Sequence, residues 1–164
     1  MHIHLALHGF PPLSDGGTQQ YTLALARRLQ AEGHRVTVLA YAPGTTREVA
    51  VREDLAQGVR VLWLTFDLHL TANPMREESA NPRVARCLER LWQSERPSLV
   101  HVTYLGLLST ATVSTAQALG IPTVVTLTDM WAICPAGTLL RHDGELCTGP
   151  ADLGDCVRCL TSMG

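Results

Sequence analysis

No stretch of the chain approaches the eighteen or so uninterrupted apolar residues that a spanning helix requires, so no membrane-crossing segment is expected. The opening MHIHLALHGF lacks a basic n-region and a cleavage site. Its apolar run breaks at His8 and the following glycine and prolines, too early for a secretory leader. An excess of charge is also missing: 13 Lys and Arg against 15 Asp and Glu leave a net −2. That balance sets up no field for nucleic acid and argues against a polyanion partner. The dinucleotide signature G-x-G-x-x-G is absent, because Gly9-Phe10-Pro11-Pro12 stands where a tight glycine turn should follow the first strand. The second strand closes on Leu39-Ala40-Tyr41-Ala42 with no acidic residue to hold a ribose diol, so NAD and NADP lose both of their determinants. The expected compartment is the cytoplasm. There the five cysteines stay reduced and read as metal ligands or inert thiols before disulfides.

What is present is enough apolar material, 46% of 164 residues, to bury one substantial core, and a single domain is expected. Ile3, Leu5 and Leu7 alternate with His4, Ala6 and His8 as a first strand. Tyr21, Ala24, Leu25 and Leu29 recur at helical spacing over 18–32, where Gly33 stops the helix. Residues 36–41 form a second strand. A polar stretch over 43–52 leads to a third strand at 59–66, apolar almost throughout, as buried parallel strands are. Asn73-Pro74 and Asn81-Pro82 mark loops. A helix over 82–95 carries Val84, Leu88, Leu91 and Trp92 on one side, with Arg83, Arg86, Glu89 and Arg90 elsewhere. Strand 99–103, helix 107–119 and strand 122–127 follow, and beyond them regular structure fades. Alternating strands and helices with right-handed crossovers predict an α/β, Rossmann-like doubly wound parallel sheet with strand one central.

Ligands of such sheets sit outside the carboxyl ends of the strands, at the switch point, so the loops at 8–17, 103–106 and 128–131 are expected to converge there. Gly16 and Gly17 open the first helix, where free N–H groups and the helix dipole favour phosphate; they also serve as a plain loop turn. His2 and His4 share a face of strand one with apolar neighbours and read as satisfied core histidines, while His8 stands by position at the ligand end. Tyr104 and Trp131 have the chemistry to stack on a sugar, or simply to pack. The arginines of the 82–95 helix suit lipid headgroups in a peripheral membrane contact, or a solvated face. Cys87 falls in an amphipathic helix and reads as core. Cys134, Cys147, Cys156 and Cys159 cluster within the 130–164 segment. Asp143-Gly144 predicts a hairpin pairing Leu139-Leu140 with Glu145-Leu146 and bringing Cys134 near Cys147, and Cys156-x-x-Cys159 predicts a knuckle. A structural zinc, free thiols and disulfides are the three readings.

The stretch HGFPPLSDGGTQQYTLALARRLQAEGHRVTVLA resembles the opening of family 4 retaining glycosyltransferases, which have two Rossmann-like domains in the GT-B fold. PSLVHVTYLGLLSTATVSTAQALGIPTVVTLTDMWAICPAGTLLRHDGELCTGP, followed by Cys156-Val157-Arg158-Cys159, is similar to the later half of the same N-terminal domain. The resemblance is weakest over 46–96. It implies a domain that binds a glycan or lipid-linked acceptor, with a second domain carrying most of the nucleotide-sugar site and an E-x7-E motif. By resemblance Gly16 and Gly17 touch the donor diphosphate, and Asp129, at the end of strand five, is the candidate catalytic residue, though an Asp there also caps helices. His8, Thr103, Tyr104, Thr128 and Trp131 are the acceptor-side candidates. Relatives carry His in place of Thr128 and often of Thr103, and a threonine hydroxyl is no base near neutral pH. The implied retaining chemistry uses the leaving phosphate to help deprotonate the acceptor and needs no metal cofactor. A zinc-stapled binding module without catalysis is the alternative.

Overall fold

The computed structural model describes residues 1–70, 77, 79–150 and 152–162. The loop expected at Asn73-Pro74 lies outside them. Strands β1 (His2–Leu7), β2 (Arg35–Pro43), β3 (Ala50–Ala56), β4 (Val59–Phe66), β5 (Leu99–Val102) and β6 (Thr123–Val125) form one six-stranded sheet in the order β3-β4-β2-β1-β5-β6. All pairs are parallel except the β3–β4 hairpin at one edge. The chain steps outward from β1 through β2 to β4, then returns to β1's other side for β5 and β6, which makes β1 the switch point of a Rossmann-like sheet. Helices α1 (Gly17–Ala31), α2 (Pro82–Glu95) and α3 (Ala111–Ala118) supply the crossovers, and α4 (Leu153–Thr161) lies near the end of the chain.

Strand alternation divides the core in two. Leu5, Leu7, Val38, Val61 and Trp63 pack with Leu23 and Ala26 of α1 in one cluster. Ala6, Leu39, Leu62, Leu64 and Val100 pack with Val84, Leu88 and Trp92 of α2 and Ala116 of α3 in the other. β1 is buried along its whole length, as the position between two parallel neighbours requires. The chain divides into two compact units, Met1–Thr126 and Leu127–Gly164. The sheet and both clusters belong to the first.

Four expectations need correction. Part of the stretch read as polar loop is strand β3, an edge strand whose residues are exposed except Ala56; Gln57 and Gly58, both at positive φ, turn it back into β4. The helix expected from 107 begins at Ala111, because Leu107 and Ser109 take left-handed backbone angles. Regular structure returns after β6 as α4, so Cys156 and Cys159 sit one helical turn apart on a helix and do not form a knuckle. Arg83, grouped with the outward arginines of α2, is buried: it pairs with Glu77, donates to the Arg47 carbonyl and lies over the Phe66 ring. Arg86 and Arg90 remain exposed.

Candidate functional site

The carboxyl ends of β1 and β5 and the start of α1 meet in the first unit. His8, just past β1, lies with its ring 4.2 Å from that of Tyr104, just past β5. A Cβ on Gly106 would stand 2.3 Å from the Tyr104 ring, so glycine at 106 is what lets the tyrosine lie back against its own loop. Gln19, buried on α1, donates through Nε2 to His8 Nε2 at 2.9 Å and to Ser14 Oγ at 2.8 Å. That contact engages the Nε2 lone pair of His8, so the ring acts as a base only where Gln19 releases it. Thr103 is fully buried. Its hydroxyl is 2.8 Å from that of Thr22, which donates to the Thr18 carbonyl, so Thr103 ties β5 to α1 and presents no face to a ligand.

Gly16 and Gly17 stand at the mouth of α1 and are exposed. Gly16 is extended (φ 175°), no side chain caps the helix, and no acidic residue occupies its first turn. The positive end of the dipole therefore meets no protein counter-charge in that turn. A Cβ at Gly17 would meet nothing within 4 Å. Glycine there is not demanded by packing; it leaves open space before the helix N-terminus. The sequence signalled His8, Tyr104 and the glycine pair, and the structure brings His8 and Tyr104 together. Gln19 and Ser14, which hold His8, were missed, and only their spacing along the loop and first turn of α1 could have suggested them.

Thr128, Asp129 and Trp131 belong to the second unit. Asp129 Oδ1 accepts the Trp131 backbone N–H at 2.9 Å, which fixes the turn that continues through the Ile133 and Cys134 N–H groups onto the Met130 carbonyl. Thr128 is exposed and Trp131 half-buried. Farther on, the expected hairpin forms: Leu140 bridges Leu146, Arg141 N–H donates to the Glu145 carbonyl at 2.8 Å and Cys147 N–H to the Leu139 carbonyl at 2.7 Å. Cys134, Cys147, Cys156 and Cys159 line one cavity of about 500 Å³, and all are free thiols. Burial pushes the Cys134 thiol up, but the N–H groups of Leu139, Ala136, Thr138 and Gly137 outweigh it and hold the thiol below its usual range. Cys156 is raised by burial and then by its neighbours Cys147, Cys134 and Cys159.

Among the described residues, only His2, His4 and Glu95 bring three ligand-type atoms within 4.8 Å of one another. Their hydrogen bonds argue against a metal. Trp92 Nε1 donates to His4 Nδ1 at 3.2 Å, so neutral His4 carries its proton on Nε2, which faces His2 Nε2 at 3.1 Å and has no lone pair to give. Glu95 is held by both of its oxygens to Arg60, 2.9 Å each. The Arg35 guanidinium stands 2.6 Å from His2 Nδ1. His2 and His4 are buried in the core, as expected from the strand pattern, and both are engaged by protein partners there.

A family model described as glycosyl transferase 4-like domain matches residues 16–151. No curated protein is similar at a significant level. Among solved structures, the catalytic domain of starch synthase IV from Arabidopsis thaliana, bound to ADP and acarbose, overlaps 76% of this chain and 32% of its own at 12% identity and TM-score 0.47. The glycosyltransferase VinC, in complex with DTDP, overlaps 75% and 33% at 17% identity and TM-score 0.47. A universal stress protein family member from Burkholderia pseudomallei overlaps 76% and 94% at 12% identity and TM-score 0.37. None of these overlaps is close enough to carry function. The chain spans about a third of the length of the two glycosyltransferase structures. Among the described residues, no helix is long and apolar enough to cross a membrane.

Proposed function

The chain belongs to the glycosyl transferase 4-like domain family, and from that premise we propose that it is the acceptor-side domain of a retaining GT-B glycosyltransferase whose nucleotide-sugar domain lies elsewhere. The observation that carries the reading is the uncapped N-terminus of α1 at Gly16-Gly17, beside the carboxyl ends of β1 and β5. Charge grows on the leaving diphosphate as the glycosidic bond to the donor breaks, and N–H groups already aimed at that position stabilise it without reorganising. His8 and Tyr104 then offer a ring surface to an acceptor sugar. Asp129, Thr128 and Trp131 stand as further candidates in the second unit, Asp129 through Oδ2, since Oδ1 serves its turn. No metal cofactor takes part in this chemistry, and a cytoplasmic protein with peripheral contact to lipid-linked acceptors fits it.

The test is carried out on the whole protein, with its donor domain, against a panel of nucleotide-diphosphate sugars, measuring nucleotide release with and without glycan and lipid-linked acceptors. Gly17→Val is the informative variant, because a Cβ at 17 would meet no protein atom within 4 Å, while a branched side chain would fill the space before the helix N–H groups. It should fold normally and lose about 100-fold or more in kcat, the scale of removing one preorganised donor. Turnover that survives Gly17→Val unchanged sinks the diphosphate assignment; no turnover of any donor sinks the enzyme reading and favours a binding module.

A further inference from the structure

The second unit has no residue that is buried among those whose burial is described. Leu127, Ile133, Leu140, Leu146 and Val157 are all exposed large apolar side chains. A segment of under forty residues without a core does not hold a fixed form through the hydrophobic effect alone; such units are held by disulfides or a metal. Yet this segment has defined local structure: the Asp129 turn, the Leu140–Leu146 hairpin, and α4 with its Asp152–Asp155 capping box.

Each of these elements delivers cysteines to the same place. Cys134 ends the Asp129 turn, Cys147 follows the hairpin's return strand, and Cys156 and Cys159 share a face of α4 at i, i+3; all four line the single cavity of about 500 Å³. After Cys134 the backbone curls back, with the Gly137 N–H donating to the Cys134 carbonyl at 2.8 Å. Of the other polar groups at the cavity, Asp155 belongs to the capping box of α4 and pairs with Arg158, Arg141 pairs with Asp143, and His142 adds an imidazole to the lining. No three of the sulfurs lie within 4.8 Å of one another, so binding draws the turn, the hairpin and α4 inward.

We propose that Cys134, Cys147, Cys156 and Cys159 bind one zinc ion as four thiolates, and that this ion supplies the cross-link which the second unit lacks as a core. Zinc is the divalent ion suited to four sulfurs in a tetrahedron with bonds of about 2.3 Å. Four sulfurs leave no open position, so the ion is structural and takes no part in sugar transfer. Binding displaces the thiol protons into solvent.

The experiment begins with the full chain purified in reducing buffer without chelator. Elemental analysis should find one zinc per chain, released as a mercurial titrates four thiols, and Cys87→Ala should leave that stoichiometry unchanged, because Cys87 is buried in the first unit. Cobalt added to the stripped protein should give thiolate charge-transfer bands and the intense ligand-field absorption of a tetrahedral site. Cys147→Ser and Cys159→Ser should each weaken cobalt binding at least tenfold, read beside a circular dichroism spectrum that reports an intact first unit. The proposal is overturned if no zinc accompanies the protein and cobalt produces no charge-transfer band, or if mass spectrometry finds the four cysteines paired as disulfides in that reducing buffer.

Discussion

At His4 the burial of the ring and the direction of its hydrogen bonds fix the protonation state. Burial comes first and the neighbouring His2 second in pushing its pKa from 6.5 down to about 3. Trp92 occupies Nδ1, the very atom a second proton would need. Above pH 6.5 the ring is neutral folded and unfolded alike, so stability is at its full value. Below it the unfolded chain takes up a proton that the folded chain refuses, and stability falls until the pH approaches 3. The limiting slope for this one residue is about 1.4 kcal/mol per pH unit. His2 shifts in the same direction. Urea midpoints between pH 7 and 5 should therefore decline steeply in the parent and less steeply in His4→Leu, which starts lower because the Trp92 N–H is left unpaired; equal slopes would refute this account. Strand alternation alone marked His2 and His4 as inward-facing. It could not reveal Trp92 as the partner, since that pairing spans 88 residues.

The helix α2 shows when an element can be read from its own residues. Asn81 is buried, and its side chain accepts the N–H groups of Arg83 at 2.9 Å and Val84 at 3.2 Å, with Pro82 in the first turn where a missing N–H costs nothing. The start of α2 was legible in the Asn81-Pro82 loop signal, and its end at Glu95 matches the helix read over 82–95, with Pro97 two residues beyond. Strand β3 was not legible, because an edge strand needs only one partner and can expose nearly all its side chains, so neither alternation nor an apolar run announces it. Its anchor is Arg60 on β4, which binds Glu53 of β3 and Glu95 of α2 with both oxygens of each. The capping role gives a direct prediction. Asn81→Ala should cost about 1–2 kcal/mol in urea-monitored unfolding, at the upper range because the cap is buried. Asn81→Ser, which keeps a capping oxygen, should recover most of the loss; a serine variant as weak as the alanine would mean that Asn81 acts through packing.

For the whole molecule, the division of labour between the two units follows from where apolar side chains go. The alternation of β1 and the nearly unbroken apolar run of β4 were enough to foresee a doubly wound sheet with strand one central, because those patterns state which faces must be covered. The second unit offered no such pattern. Its cysteines, the Asp-Gly turn and the fading of regular structure beyond 127 were visible, but that the segment forms a compact unit of its own was not, since only the three-dimensional contacts reveal it. Both core clusters, including the residues packed against them, draw on nothing beyond Ile121. β6 pairs only with β5 at the sheet's edge, and the last side chain tied to it, Thr126, bonds His101 at 2.8 Å. A chain ending at Thr126 therefore keeps every strand of the sheet and every residue of both clusters. It should unfold in one cooperative urea transition with a midpoint close to that of the full chain and an m-value only slightly smaller, because the surface lost was largely exposed already. A truncated chain that aggregates or loses its transition would show that the sheet depends on residues 127–164, and the independence argued from the core clusters would fail.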